Sequence, residues 1–181
     1  MNIYLHWLTD SKILDCPNAV SDYQIDCIYH GLVDSGYNFS SNIYPWWMHK
    51  PTEKHPIEDY KQIWGKGFTL YGLLDDRVSN QEKPDLAIVG IHHTANNQDA
   101  LLCETLDALN KQNIKTYVVD GWDRPHICDG AITLSDKYFK RELDPNTRSI
   151  GKEVFPISFA IPEQHIIDPD ERYYKAKGFA E

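Results

Sequence analysis

The chain has 181 residues, 41% of them hydrophobic and 25% charged, with a formal net charge of −9, the balance of one soluble globular domain long enough to bury a core. That charge argues against a nucleic-acid partner, which asks for a basic stripe, and no apolar run approaches the roughly 20 residues that span a bilayer. The start, MNIYLHWLTD, has no basic segment ahead of an apolar one, so no secretory signal is expected, and with four cysteines and no CxxC pair the expected setting is the reducing cytoplasm, with structural thiols.

Ile3 to Leu8 reads as an opening strand. After a polar loop, Ser21 and Asp22 suit a helix start, and the helix runs from about Tyr23 to Val33, with Gly36 placed for a C-cap. Phe39 to Tyr44 is a second strand stopped by Pro45. Residues 46–63 are irregular, the kind of long connection that is functional or mobile. Phe68 to Leu74 reads as a buried strand closed by Asp75 and Asp76.

The central stretch is the most informative. Asp85 to Ile91 is apolar almost throughout, as a strand covered on both faces reads. Gln98 to Lys111 carries Leu101, Leu102, Leu106 and Leu109 at helical spacing, Asn113 stands where that helix ends, and Thr116 to Val119 is the next strand, completing a βαβ unit. Ala131 to Leu134 reads as a further strand, Lys137 to Leu143 as a short helix or turn, and Val154 to Ile161 as an edge or final strand. The expected fold is α/β: a Rossmann-like, open, mainly parallel sheet with helices on both faces. The domain is expected over residues 1–164, with 165–181 a polar tail or the start of a linker to a missing C-terminal domain.

Ligands of open parallel sheets sit beyond the carboxyl ends of the strands, so candidate residues are sought there. His92 and His93 follow a buried strand; one reading makes a histidine a general base, since its pKa lies near working pH, and the other makes both loop histidines bonded to backbone. Asp120 and Asp123 flank Gly121 and Trp122. Either these carboxylates bind sugar hydroxyls or act as a base, with Trp122 stacked on a ring, or Asp120 caps the turn and Asp123 pairs with Arg124. Lys137, Lys140 and Arg141, beside Tyr138, form a basic group suited to a phosphate or carboxylate, or else a solvated helix face. Trp46, Trp47 and His49 sit in the long connection, as a cleft lining or as packed anchors. No metal site and no bound cofactor is expected: His126 and Asp120 qualify as ligands only by placement, and neither GxGxxG, a P-loop nor GxSxG occurs.

Taken together, DYQID and HGL between Asp22 and Leu32, GKGFTLYG at Gly65 to Gly72, VDGWD at Val119 to Asp123, YFKREL at Tyr138 to Leu143 and PISFAIPE at Pro156 to Glu163 resemble the N-terminal half of bacterial and viral glycosyltransferase-like proteins, the CgeB-like and exostosin-like group. The resemblance implies a GT-B-like enzyme with two Rossmann-like domains facing across a cleft. Its nucleotide-sugar donor is held mainly by the C-terminal domain, missing here, and its glycan or other hydroxyl acceptor mainly by this one. His92, His93 or Asp123 is then the expected base, with Asp120, Trp122, Arg124, Lys137, Tyr138, Lys140, Arg141, Trp46 and Trp47 expected around the substrate. Without the second domain the chain is expected to turn over little. The alternative is a non-catalytic α/β module that binds a nucleotide, a sugar or a protein at the same edge. A receiver-like signalling domain ranks last, because no lysine stands well at a late strand end.

Overall fold

The computed structural model of the chain describes residues 1–8, 23–56, 74–75, 82–91, 98–122, 125–143 and 154–157. Among these residues six strands, β1 (Ile3–Leu8), β2 (Phe39–Ser41), β3 (Leu86–Ile91), β4 (Lys115–Asp120), β5 (Lys137–Lys140) and β6 (Val154–Pro156), form one sheet in the order β2-β1-β3-β4-β5-β6. Every neighbouring pair is parallel. The expected α/β, Rossmann-like parallel architecture is therefore what the chain adopts. The chain steps from β1 outward to β2, returns past β1 to β3, and then adds strands in the opposite direction. The switch point lies between β1 and β3, where this class of sheet opens its ligand crevice.

Two hydrophobic clusters cover the two faces. On one face, α1 (Tyr23–Asp34) packs Ile25, Tyr29 and Leu32 against Ile3, Leu5 and Trp7 of β1, together with Trp47, Met48 and Leu74. On the other, α2 (Gln98–Asn110) and α3 (Asp129–Leu134) pack Leu102, Leu106, Leu109, Ala131 and Ile132 against Ala87, Val89, Ile91, Val118 and Tyr138. The alternation follows from the two-residue period of strands: Ala87, Val89 and Ile91 face α2, while Ile88 faces α1. Backbone freedom is used where helices end, at Gly36 (φ 66°) after α1 and at Asn113 (φ 55°) after α2, a residue type that tolerates the left-handed region.

Two expected elements are corrected. Ala131 to Leu134 is helical, and Lys137 to Lys140 is a strand, not a helix or turn. From Ile127 onward the buried positions are 127, 128, 131, 132 and 135, a spacing of three to four, whereas Lys137 to Lys140 alternates exposed, buried, half-buried, buried. Ser135 and Asp136 thus precede β5 instead of following a strand. Asp136 secures that entry: its carboxylate accepts from the Thr116 amide at 2.8 Å while its own amide donates to the Thr116 carbonyl at 2.9 Å. The second strand is also shorter than expected. The expected strand over Phe68 to Leu74 falls, apart from Leu74, outside the described residues; Leu74 forms an isolated parallel bridge with His49. No helix among the described residues is long and apolar enough to cross a membrane.

His49 is held by this packing. Its Nδ1 lies 3.0 Å from the Asp75 carbonyl and its Nε2 3.1 Å from the Tyr29 hydroxyl. A carbonyl can only accept, so Nδ1 carries a proton, and the two contacts hold the ring in a structural role. His6, on β1, is kept neutral: burial lowers its pKa to about 4, with the Tyr4 hydroxyl 3.2 Å from Nδ1. The unfolded chain titrates this histidine near 6.5 and so binds the extra proton first as pH falls. His6 therefore removes stability between about pH 6.5 and pH 4 and none above. Comparing urea unfolding of the wild type with His6→Gln at pH 7.5 and 4.5 should show the variant losing less stability; equal losses would take His6 out of the acid response.

Candidate functional site

The carboxyl edge of β4 and β5 carries a buried polar network. Asp120, 3% exposed, ends β4. Its Oδ2 accepts from the Tyr138 hydroxyl at 2.8 Å, and its Oδ1 accepts from Lys140 Nζ at 3.0 Å and from the Trp122 amide at 3.0 Å. Lys140 has no exposed surface and also donates to the Trp122 carbonyl at 2.9 Å. The Arg141 amide donates to the Asp120 carbonyl at 3.0 Å. The network is a consequence of register. Asp120 pairs with Lys140 across the β4–β5 ladder, and Tyr138 lies two residues before Lys140 and so on its face. Burial, and next the Asp120 carboxylate, push the Tyr138 hydroxyl well above its ordinary range, so it remains a donor.

This geometry decides between the two readings of Asp120. Both oxygens of this buried carboxylate are engaged by protein donors, so in this structure it fixes the turn at Gly121–Trp122. The bond from the Trp122 amide back to Asp120 is the short Asx link that stabilises such turns, and Lys140 holds the same peptide from the carbonyl side. Trp122 is half-buried, so a rigid frame presents an aromatic residue at the carboxyl edge.

The first turn of α1 reaches the same place. A Cβ built on Gly121 would stand 2.9 Å from Gln24 Oε1, and one on Gly90 would stand 2.7 Å from Ile25 Cγ1. The two glycines let the helix seat directly on β3 and on the turn after β4, with Gln24 and Asp26 buried beside them. A third tie comes from α2, where Asp99 accepts from His126 Nε2 at 2.7 Å across the β4–α3 connection.

The other expected site residues separate. Lys137 stands toward the amino end of β5, its ammonium 5.5 Å from the Tyr117 ring centroid and 5.4 Å from that of Phe155, while Lys140 is buried on the opposite face. Arg141 Nε lies 3.6 Å from the Glu142 carboxylate. The three cations do not form one basic group, because three residues along a strand reverse the face. Trp47 is 1% exposed and meets Trp7 edge-on at 6.2 Å between centroids, so it is a core anchor. Trp46 is half-buried and stacks on His55 at 4.3 Å. His92 and His93 directly follow Ile91 in the chain, and Asp123 and Arg124 directly follow Trp122; all four lie outside the described residues.

What sequence reasoning missed is that Lys140 is buried and paired with Asp120. A lysine does stand at a late strand end, contrary to the ground on which a receiver-like domain ranked last, yet the carboxylate that it faces is buried and already bonded at both oxygens. The signal that could have found it is the alternation of Tyr138 and Lys140 around Phe139. Among the described residues no group of three or more His, Cys, Asp or Glu is placed to hold a metal ion. Compared with protein-family models, with curated proteins and with solved structures, the chain matches none.

Proposed function

We propose that this domain binds a small polar ligand at the carboxyl edge of its sheet, and that the ligand is the glycan or other hydroxyl acceptor of a GT-B-like glycosyltransferase. The observation that carries the first step is the buried Asp120–Tyr138–Lys140 network, which spends three polar side chains on holding one short turn. Replacing a buried ionic group with apolar residues is often neutral or stabilising, so fixing the edge where α/β sheets take ligands supplies a purpose for keeping it. The second step rests on the resemblance of the quoted motifs to the transferase group and on Trp122, whose ring suits stacking on a sugar face.

In this reading Trp122 orients the acceptor, and Asp120, Tyr138 and Lys140 act as positioning residues behind it. His92, His93 or Asp123, next along the chain from Ile91 and Trp122, takes the acceptor hydroxyl's proton as that oxygen attacks the sugar carbon and the nucleotide leaves. A second domain holds the nucleotide-sugar donor.

Thermal unfolding in the presence of simple glycans, free nucleotides and nucleotide sugars tests this. A glycan that binds only the folded chain adds about 1.4 kcal/mol of stability at ten times its Kd. Trp122→Ala should abolish the glycan shift while leaving the unliganded midpoint within a few degrees, since Trp122 is half-buried. A shift with a free nucleotide and none with glycans would replace the acceptor reading with that of a nucleotide-binding module.

A further inference from the structure

Cys103 of α2 and Cys128, which immediately precedes α3, place their sulfurs 3.6 Å apart. That is near van der Waals contact, and a disulfide needs about 2.05 Å. The approach is built into the helix pair. A Cβ on Gly130 would stand 2.8 Å from Cys103 Sγ, so a glycine at that position is what lets the sulfur lie there. Cys103 is partly exposed and Cys128 is buried, so a reagent meets Cys103 first. Cys27 lies on α1, against the opposite face of the sheet, and does not compete.

We propose that Cys103 and Cys128 form a redox-controlled pair that closes to an intramolecular disulfide on exchange with a small-molecule disulfide such as that of glutathione. The Cys103 thiolate attacks one sulfur of that disulfide and expels a thiolate, leaving a mixed disulfide on Cys103. The Cys128 thiolate then attacks Cys103 Sγ and expels the second. The two expelled thiolates take up the two protons given up by the cysteines, so two protein thiols are oxidised as one small disulfide is reduced to two thiols. The new bond spans 25 residues, a loop that contains all of β4 together with Asp120 and Trp122. It would staple α2 to the segment that bears the carboxyl-edge turn, whatever ligand that edge takes. Burial pushes the Cys128 thiol up to about 11, so its thiolate is scarce at neutral pH and closure should accelerate as pH rises.

The test equilibrates the full chain with glutathione and glutathione disulfide and follows intact mass, thiol titration and peptide mapping. The expected result is a loss of about 2 Da with a Cys103–Cys128 cross-linked peptide, both reversed by excess dithiol, and a melting midpoint raised by roughly 5 to 10 °C. Cys103→Ser should keep the reduced protein's midpoint and abolish both the mass loss and the rise. An unchanged mass, a cross-link mapping to other cysteines, or a mass loss that persists in Cys103→Ser would each overturn the proposal.

Discussion

Lys140→Met should destabilise the domain by about 3–5 kcal/mol, because it strands a buried carboxylate. Lys140 has no exposed surface, and Asp120 is 3% exposed. Without the ammonium, Asp120 keeps the Tyr138 hydroxyl and the Trp122 amide but no compensating charge, and the Trp122 carbonyl loses its donor. For a domain whose whole stability is of the order of 5–15 kcal/mol, that is a large fraction. The double variant Lys140→Met/Asp120→Asn should be more stable than Lys140→Met alone, since the stranded charge is gone. Tyr138→Phe should cost less, about 1–3 kcal/mol, for one donor withdrawn from a buried acceptor. Urea midpoints for the wild type, these three variants and Asp120→Asn alone decide it. If Lys140→Met costs under 1 kcal/mol, or if the double variant loses the sum of the two single losses, the charges are not coupled as the geometry states.

How far the sequence could foresee this varies by residue. β1, β3 and β4 were legible because strands buried on both faces read as apolar runs, as in Ile3 to Leu8 and Asp85 to Ile91. α2 was legible because leucines at 102, 106 and 109 repeat at helical spacing. The stretch from Ala131 to Leu143 misled for the converse reason. Ala-Ile-Thr-Leu has the composition of a strand, yet Cys128–Ile132 and Ala131–Ser135 bury at four-residue spacing. Lys-Tyr-Phe-Lys has lysines that read as solvated, yet Lys140 is buried against the carboxylate of an aspartate 20 residues earlier in the chain. Propensity is local, and tertiary pairing overrides it.

The candidate site divides along the same line. That Asp120 closes a strand, and so stands at the functional edge, was visible in the apolar run before it. That its carboxylate is bonded inside the protein was not, because its partners Tyr138 and Lys140 belong to the element read as a short helix or turn. Trp46 and Trp47 were placed correctly outside regular strands, but which of the two rings enters the core depends on the short 3-10 turn Trp46–Met48, a geometry with no signature in residue order. The seating of α1 on Gly90 and Gly121 was equally hidden, since a glycine shows what a backbone permits and not which helix comes to lie on it.

That seating gives the second large expected effect. Gly90→Val should cost about 3 kcal/mol by overpacking, although valine is the better strand former and on an open face would gain up to about 1 kcal/mol. The clash should prevail because neither side can yield cheaply. Gly90 is paired with Trp7 on one side and Val119 on the other, so β3 cannot shift without disturbing the sheet's centre. A Cβ there meets both Ile25 Cγ1 at 2.7 Å and Cδ1 at 2.8 Å, and Ile25 is itself buried. The remaining motion is to lift the first turn of α1, which also takes Gln24 off Gly121. The cost should correspond to a fall in melting midpoint of roughly 6 to 12 °C for a domain of this size. Ile25→Ala alone should also destabilise, by about 2–5 kcal/mol through the cavity it leaves, but in that background the valine methyls occupy the vacated space. The double variant should therefore be distinctly more stable than the sum of the single losses predicts, a coupling expected only of residues in contact. Strict additivity would mean that the helix is not seated on Gly90, and the account of how α1 supports the Gly121–Trp122 turn would fall with it.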